Sequence, residues 1–131
     1  MKNKIKIIII LLKFIFLSSN NVIGAEQFNF DITEIEILEE GNRFIGLKRG
    51  IITTNEGLVI EADEFDYNKI SNILDAKGNV KIFDKLSALT IHSDSIRYLK
   101  EEEIIFTKGN SRASKQDTTI TANKFNYQKN L

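Results

Sequence analysis

Apolar and polar side chains alternate along most of this chain, and at fixed intervals the alternation skips a beat. In residues 58–67, Leu58, Ile60 and Ala62 share one parity, whereas Phe65 and Tyr67 share the other. The phrase returns in 89–98, where Leu89 and Ile91 give way to Ile96 and Tyr98. It returns again in 118–127, where Ile120 and Ala122 give way to Phe125 and Tyr127. Alternation at period two predicts half-buried strands. A parity switch at the same place in each copy predicts a bulge or corner that re-aims the strand. The residue at the switch is Asp63, Asp94 or Asn123. These types tolerate unusual backbone angles and bond their own backbone, so a corner is expected there rather than a catalytic role.

A second strand follows each phrase. Residues 73–82 align with 104–113, 31 positions on, and Gly78 and Gly109 fall at matching places inside them. Glycine within a strand marks a bulge or a close backbone approach. Polar links at 68–72 and 100–103 are short enough for antiparallel, hairpin-like connections. A weaker copy of the phrase lies upstream, with Phe28, Phe30 and Ile32 before the parity break and Ile35 and Ile37 after it. Its second strand, near 44–52, is less regular and carries Gly46 and Gly50. The chain thus holds about three and a half units, and the period predicts a further strand after Leu131. The tyrosines 67, 98 and 127 lie 31 and 29 residues apart. A period near thirty marks a stacked fold that offers one long surface instead of a single pocket.

Residues 1–25 stand apart from this pattern. Lys2, Lys4 and Lys6 precede a mostly apolar run interrupted by Lys13, and Ile23-Gly24-Ala25 closes the segment with small residues. This is the layout of a secretory signal peptide, too short in its apolar part for a comfortable membrane span, with an uncleaved anchor as the alternative. Residues 26–131 are then one exported domain. Removing the leader takes away four lysines and no acid, leaving 14 basic and 18 acidic residues, a net charge of −4. That balance argues against nucleic acid as a partner, which demands clustered basic charge. With no cysteine, disulfides and attachment of lipid through an N-terminal cysteine are excluded.

Catalytic chemistry finds little to build on. The one histidine, His92, occupies an outward strand position held by Glu61 and Thr121 in the neighbouring copies. No Cys/His cluster suits zinc, and no glycine-rich phosphate loop follows a strand. Asp63 and Asp66 are spaced like paired carboxylates, but the last copy has Asn123 and Asn126 instead, as solvated edges would. No enzyme activity, cofactor or metal is expected. The apolar face is either a filled core or an open trough for acyl chains, and the pattern alone leaves both open.

The phrase I-x-A-D-x-F-x-Y followed by N-x-x-x-A-x-G-N-V, read here from Ile60 to Tyr67 and from Asn72 to Val80, resembles the OstA-like domain family of lipopolysaccharide transport. The resemblance covers 28–131. It implies an all-β fold, a twisted antiparallel β-jellyroll of repeated two-stranded units, C-terminally incomplete at Leu131. It implies a periplasmic module whose interior shields the acyl chains of lipopolysaccharide. Mapped onto this chain, the lipid-binding interior is Ile60, Ala62, Phe65, Tyr67, Leu74, Val80, Ile91, Ile96, Tyr98, Ile105, Ile120, Ala122 and Phe125. Ser93 and Ser111 depart from Ala62 and Val80 of the preceding unit. Domains of this family join end to end by edge-strand pairing, and the partner strand here is Phe28, Phe30, Ile32, Ile35 and Ile37, with homologous jellyroll domains as partners and a head-to-tail oligomer as the outcome. The leader and the mid-repeat ending suit the N-terminal segment of the family's outer-membrane assembly protein. A stand-alone periplasmic bridge is the alternative, and a structural β-solenoid or adhesin the alternative of another class.

Overall fold

The computed structural model describes residues 28–129; the leader falls outside the described residues. The repeats become strands that cross between two layers. The first copy splits into β1 (Phe28–Asp31) and β2 (Ile35–Leu38), and returns, after a 3-10 turn at Glu39–Gly41, as β3 (Arg43–Gly46) and β4 (Gly50–Thr54). The second goes out as β5 (Leu58–Ala62) and β6 (Glu64–Asn68) and returns as the long β7 (Ile73–Asp84). The third goes out as the long β8 (Leu89–Leu99) and returns as β9 (Ile104–Lys108) and β10 (Ser111–Lys115). The last copy gives β11 (Thr118–Ala122) and β12 (Asn126–Gln128).

Every pairing among the described residues is antiparallel. One layer runs β1-β4-β5-β7-β8-β10-β11, using 80–84 of β7 and 89–93 of β8. The other runs β2-β3-β6-β7-β8-β9-β12, using 73–77 of β7 and 95–99 of β8. The two long strands therefore belong to both layers, and the sheet stays open at both ends. This is the antiparallel all-β arrangement that the repeat predicts and the jellyroll that the resemblance implies, without the parallel rungs of a solenoid.

The corners sit where the parity switches. Asp63 lies between β5 and β6, and its N–H donates to the carbonyls of Lys77 and Gly78 at 3.1 and 3.0 Å. The Asp94 N–H donates to the Gly109 carbonyl at 2.9 Å. Opposite each switch the returning strand carries an extra residue: the register passes from Lys77↔Ser95 to Val80↔Ser93. The surplus is absorbed by Gly78-Asn79, at φ +80° and +45°, and by Gly109-Asn110, at +85° and +45°. Glycine is required at the first position of each pair for space as well as for φ. A Cβ on Gly78 would stand 2.4 Å from Asp63 Oδ2, and one on Gly109 2.5 Å from Asp94 Oδ2. The irregular first unit has its own reason: Ile32 fills the corner so closely that a Cβ on Gly50 would lie 2.6 Å from it.

The core lies between the layers. Phe28 of the first layer meets Tyr67 of the second with ring centroids 4.8 Å apart, and Phe30 stacks on Phe44 at 5.6 Å. Buried residues alternate along β5 and resume on the opposite parity in β6, as the corner demands.

Candidate lipid-facing interior and edge strands

Ten of the thirteen interior positions are enclosed. Ile60, Ala62, Leu74, Tyr98 and Ile105 are fully buried; Val80, Ile91, Ile96 and Phe65 are nearly so, and Tyr67 retains 7% of its surface. Over the first three units this interior is a packed core, not an empty trough. The last copy is different. Phe125 is half-buried, Ala122 is exposed, and Ile120 is 61% exposed. These three were expected to be interior like the others, and they are not enclosed. The cause is topological: among the described residues β11 pairs only with β10 and β12 only with β9, so the last pair has a neighbour there on one side alone. The apolar interior is thus sealed along most of its length and uncovered at its C-terminal end.

The two serines that break the apolar pattern are turned to structural use. The Ser93 hydroxyl donates to the Ser95 carbonyl at 2.9 Å, and Ser93 Oγ lies 3.0 Å from Ser111 Oγ. Thr107 Oγ1 accepts from the Phe125 N–H at 2.9 Å. Hydroxyls buried here satisfy corner and edge backbone that would otherwise go unpaired.

The repeating tyrosines bury their rings and tie their hydroxyls into the turns between strands. Tyr67 donates to Asn72 Oδ1 at 3.0 Å, and Tyr98 to Glu103 Oε2 at 3.0 Å, five residues on in each case. Tyr127 donates instead to Asp84 Oδ2 at 2.8 Å, reaching across to the other layer. Lys100, only 7% exposed, makes a second link between layers, donating to Glu56 Oε1 at 3.1 Å and also to Glu103. Burial alone would lower the Lys100 pKa, but its hydrogen bonds to Glu103 and Glu56 outweigh burial and raise it. Burial would raise Asp84, yet the bonds from Tyr127, the Leu86 N–H and Ser87 hold it below the usual carboxylate range. These polar groups fasten the turn ends of the two layers along the side away from the corners. Sequence reading passed over Lys100, Glu56 and Asp84. The spacing from Tyr98 to Glu103, matching Tyr67 to Asn72, was the available signal.

At the N-terminal end, the partner strand foreseen over 28–37 is two edges in two layers. Among the described residues β1 pairs only with β4 and β2 only with β3. Phe28 is buried and Phe30 and Ile32 half-buried, whereas Ile35 and Ile37 are 36% and 62% exposed. β2 is exposed along its whole length because no strand of either layer covers it among the described residues. Elsewhere His92 stands on the outer face, as its parity implies, paired in register with Lys81 and Arg112. Among the described residues no group of three or more His, Cys, Asp or Glu is placed to hold a metal ion.

Fold and site together define an open β-jellyroll with an apolar interior and unpaired strands at both ends. Among solved structures this chain is similar to LptH from Pseudomonas aeruginosa, the LptA-homologous periplasmic component of the conserved lipopolysaccharide transport device. The TM-score is 0.69 at 9% sequence identity, covering 77% of this chain and 75% of that one, a likeness of fold. No family model matches the sequence, and no curated protein matches it.

Proposed function

We propose that this chain is a periplasmic lipopolysaccharide-transport module that shields lipid A acyl chains on its apolar interior and joins neighbouring jellyroll domains through its edge strands. On this reading it is exported by the leader at 1–25, and 26–131 forms the N-terminal part of an LptD-like outer-membrane assembly protein, associated with that membrane through its parent. The observation that carries the reading is the interior that runs through both layers and emerges uncovered at Ile120, Ala122 and Phe125, between strands with free edges. Acyl chains entering there meet apolar side chains continuous with the core, and lipid pockets are of this kind. A stand-alone LptA-like bridge is the second reading, favoured by the likeness to LptH over 75% of that chain.

A photo-crosslinker tests the lipid role. Placed at Ile120, it should capture lipopolysaccharide in cells with an active transport pathway. Placed at Thr119, the adjacent residue and of opposite parity, it should not. Equal labelling at both sites would refute the reading. The two parents are separated by the gene beyond Leu131: a long run of alternating strands fits an LptD-like protein, and an early stop fits a bridge.

A further inference from the structure

On the outer face of the first layer a single register row crosses five strands: Glu61, Lys81, His92, Arg112 and Thr121 on β5, β7, β8, β10 and β11. Lys81, His92 and Arg112 are therefore side by side on neighbouring strands, about 5 Å apart. Lys81 and Arg112 each stand opposite His92, so two cations flank one imidazole from the strands on either side. The other three arginines among the described residues are each matched with an acid. Arg97 faces Asp75 across the strands at 2.8 Å, Arg43 holds Asp66 at 2.7 Å, and Arg49 holds Asp63 at 2.9 Å. Lys81 and Arg112 take part in none of the ion pairs among the described residues.

The acids that could neutralise the row are turned elsewhere. Glu61, the cross-strand neighbour of Lys81, lies 3.5 Å from Arg49, and Asp94 accepts from the Asn110 amide at 2.8 Å. Burial lowers the His92 pKa, and Arg112 and Lys81 push it the same way, so the imidazole stays neutral beside two cations. Lys81 and Arg112 occupy equivalent places in successive units, 31 residues apart, so the repeat itself lays down the pair. His92 separates two open hollows. One, of about 640 Å³, is lined by Arg112, Thr121, Ala122 and Asn123; the other, of about 290 Å³, by Arg49, Asn79, Lys81 and Asp94, with Asn110 lining both. Beside Arg112 the Thr121 hydroxyl and the Asn123 amide supply further donors, whereas the amides of Asn110 and Asn79 are held by Asp94 and Asp63.

We propose that the Lys81–His92–Arg112 row binds a phosphoryl group. Arg112 offers a planar fork that matches two phosphoryl oxygens, and Lys81 a point charge. His92 supplies a third donor between them, its protonation favoured once an anion offsets its neighbours. Lys81, His92 and Arg112 are of opposite parity to the interior residues, so the site is tested separately from the lipid role proposed above, although its larger hollow also touches Ala122. A free phosphate, a soluble sugar phosphate and the phosphorylated headgroup of a glycolipid share the chemistry it recognises.

His92 is the sole histidine, so its ring protons report on the site directly. The exported chain, isotope-labelled, is titrated at constant ionic strength with inorganic phosphate, with glucose 1-phosphate, with micelles of a phosphorylated glycolipid, and with chloride. The expected result is a saturable shift of the His92 resonances with at least one phosphoryl probe and none with chloride, together with a rise in the His92 pKa. Tightest binding by inorganic phosphate would identify the free ion as ligand, by the sugar phosphate a soluble phosphosugar, and by the micelles a headgroup. Arg112→Gln and Lys81→Gln should each weaken binding at least about tenfold, the loss of one charge-assisted hydrogen bond. Lys85→Gln, in the turn after β7, should leave it unchanged. All three exposed substitutions are checked by circular dichroism. Absence of a saturable shift, a matching shift with chloride, or full affinity in folded Arg112→Gln would overturn the proposal.

Discussion

Replacing Gly78 by alanine tests how the corner is built. The residue has φ +80°, and its new Cβ would lie 2.4 Å from Asp63 Oδ2 and 2.8 Å from Asp63 Cβ. Forcing an alanine into left-handed backbone costs about 1–2 kcal/mol. Displacing Asp63 adds a second cost. Its carboxylate accepts from Arg49 at 2.9 Å and from the Asn79 amide at 3.2 Å, both exposed contacts of small worth. Its Cβ lies too close for a side-chain rotation alone to cure, so β5 and β6 must shift. A total loss of about 2–4 kcal/mol is expected, in the range of strained or overpacked sites. Gly41→Ala isolates the backbone share, because Gly41 has φ +89° with nothing within 4 Å of its would-be Cβ. It should cost only about 1–2 kcal/mol. Urea unfolding followed by circular dichroism gives both values. Asp63→Gly in the Gly78→Ala background should recover the steric share, giving a non-additive cycle. Equal losses for Gly78→Ala and Gly41→Ala, or strict additivity with Asp63→Gly, would show that the Asp63 contact does not shape the corner.

Ile60→Ala should cost about 2–5 kcal/mol by opening a cavity in the enclosed interior, while Ile120→Ala, at a site 61% exposed, should change the urea midpoint little; similar losses at both would contradict the sealed-then-open interior. Asp84 has a folded pKa below its ordinary value, so it contributes stability that is present above about pH 4 and lost as pH falls through the depressed value. Asp84→Asn should therefore lower stability at pH 7 by about 1–2 kcal/mol and flatten the acid limb of a melting-temperature profile; an unchanged limb would remove Asp84 from the layer link. Just after β3 the Leu47 N–H donates to the carbonyl of Glu34, the residue before β2, and strand alternation then directs the N–H of Ile35 and Ile37 away from β3. Ile37→Pro should abolish concentration-dependent association in sedimentation while the far-ultraviolet spectrum is kept; association that survives would exclude this edge.

Much of this architecture is legible in the sequence because both of its rules are local. Alternation assigns each side chain of a strand to a face, and the skipped beat at Asp63, Asp94 and Asn123 marks where that face changes layer. The glycines 78 and 109 likewise announce the close approach that the structure places against Asp63 and Asp94. Repetition then carries each local reading from unit to unit. What tertiary structure alone decided is how much of each face is covered. Ile91 and Ile120 sit at matching places in successive copies, yet one is 1% exposed and the other 61%. Parity fixes direction, but burial depends on the strands that flank each pair. The same holds for Lys100 and Glu56, a charged turn and a distant loop with no shared motif, which meet because the two layers close toward one another on the side away from the corners. The outer row of Lys81, His92 and Arg112 belongs to this class as well: each residue is ordinary in its own strand, and only the cross-strand register sets three nitrogen groups side by side.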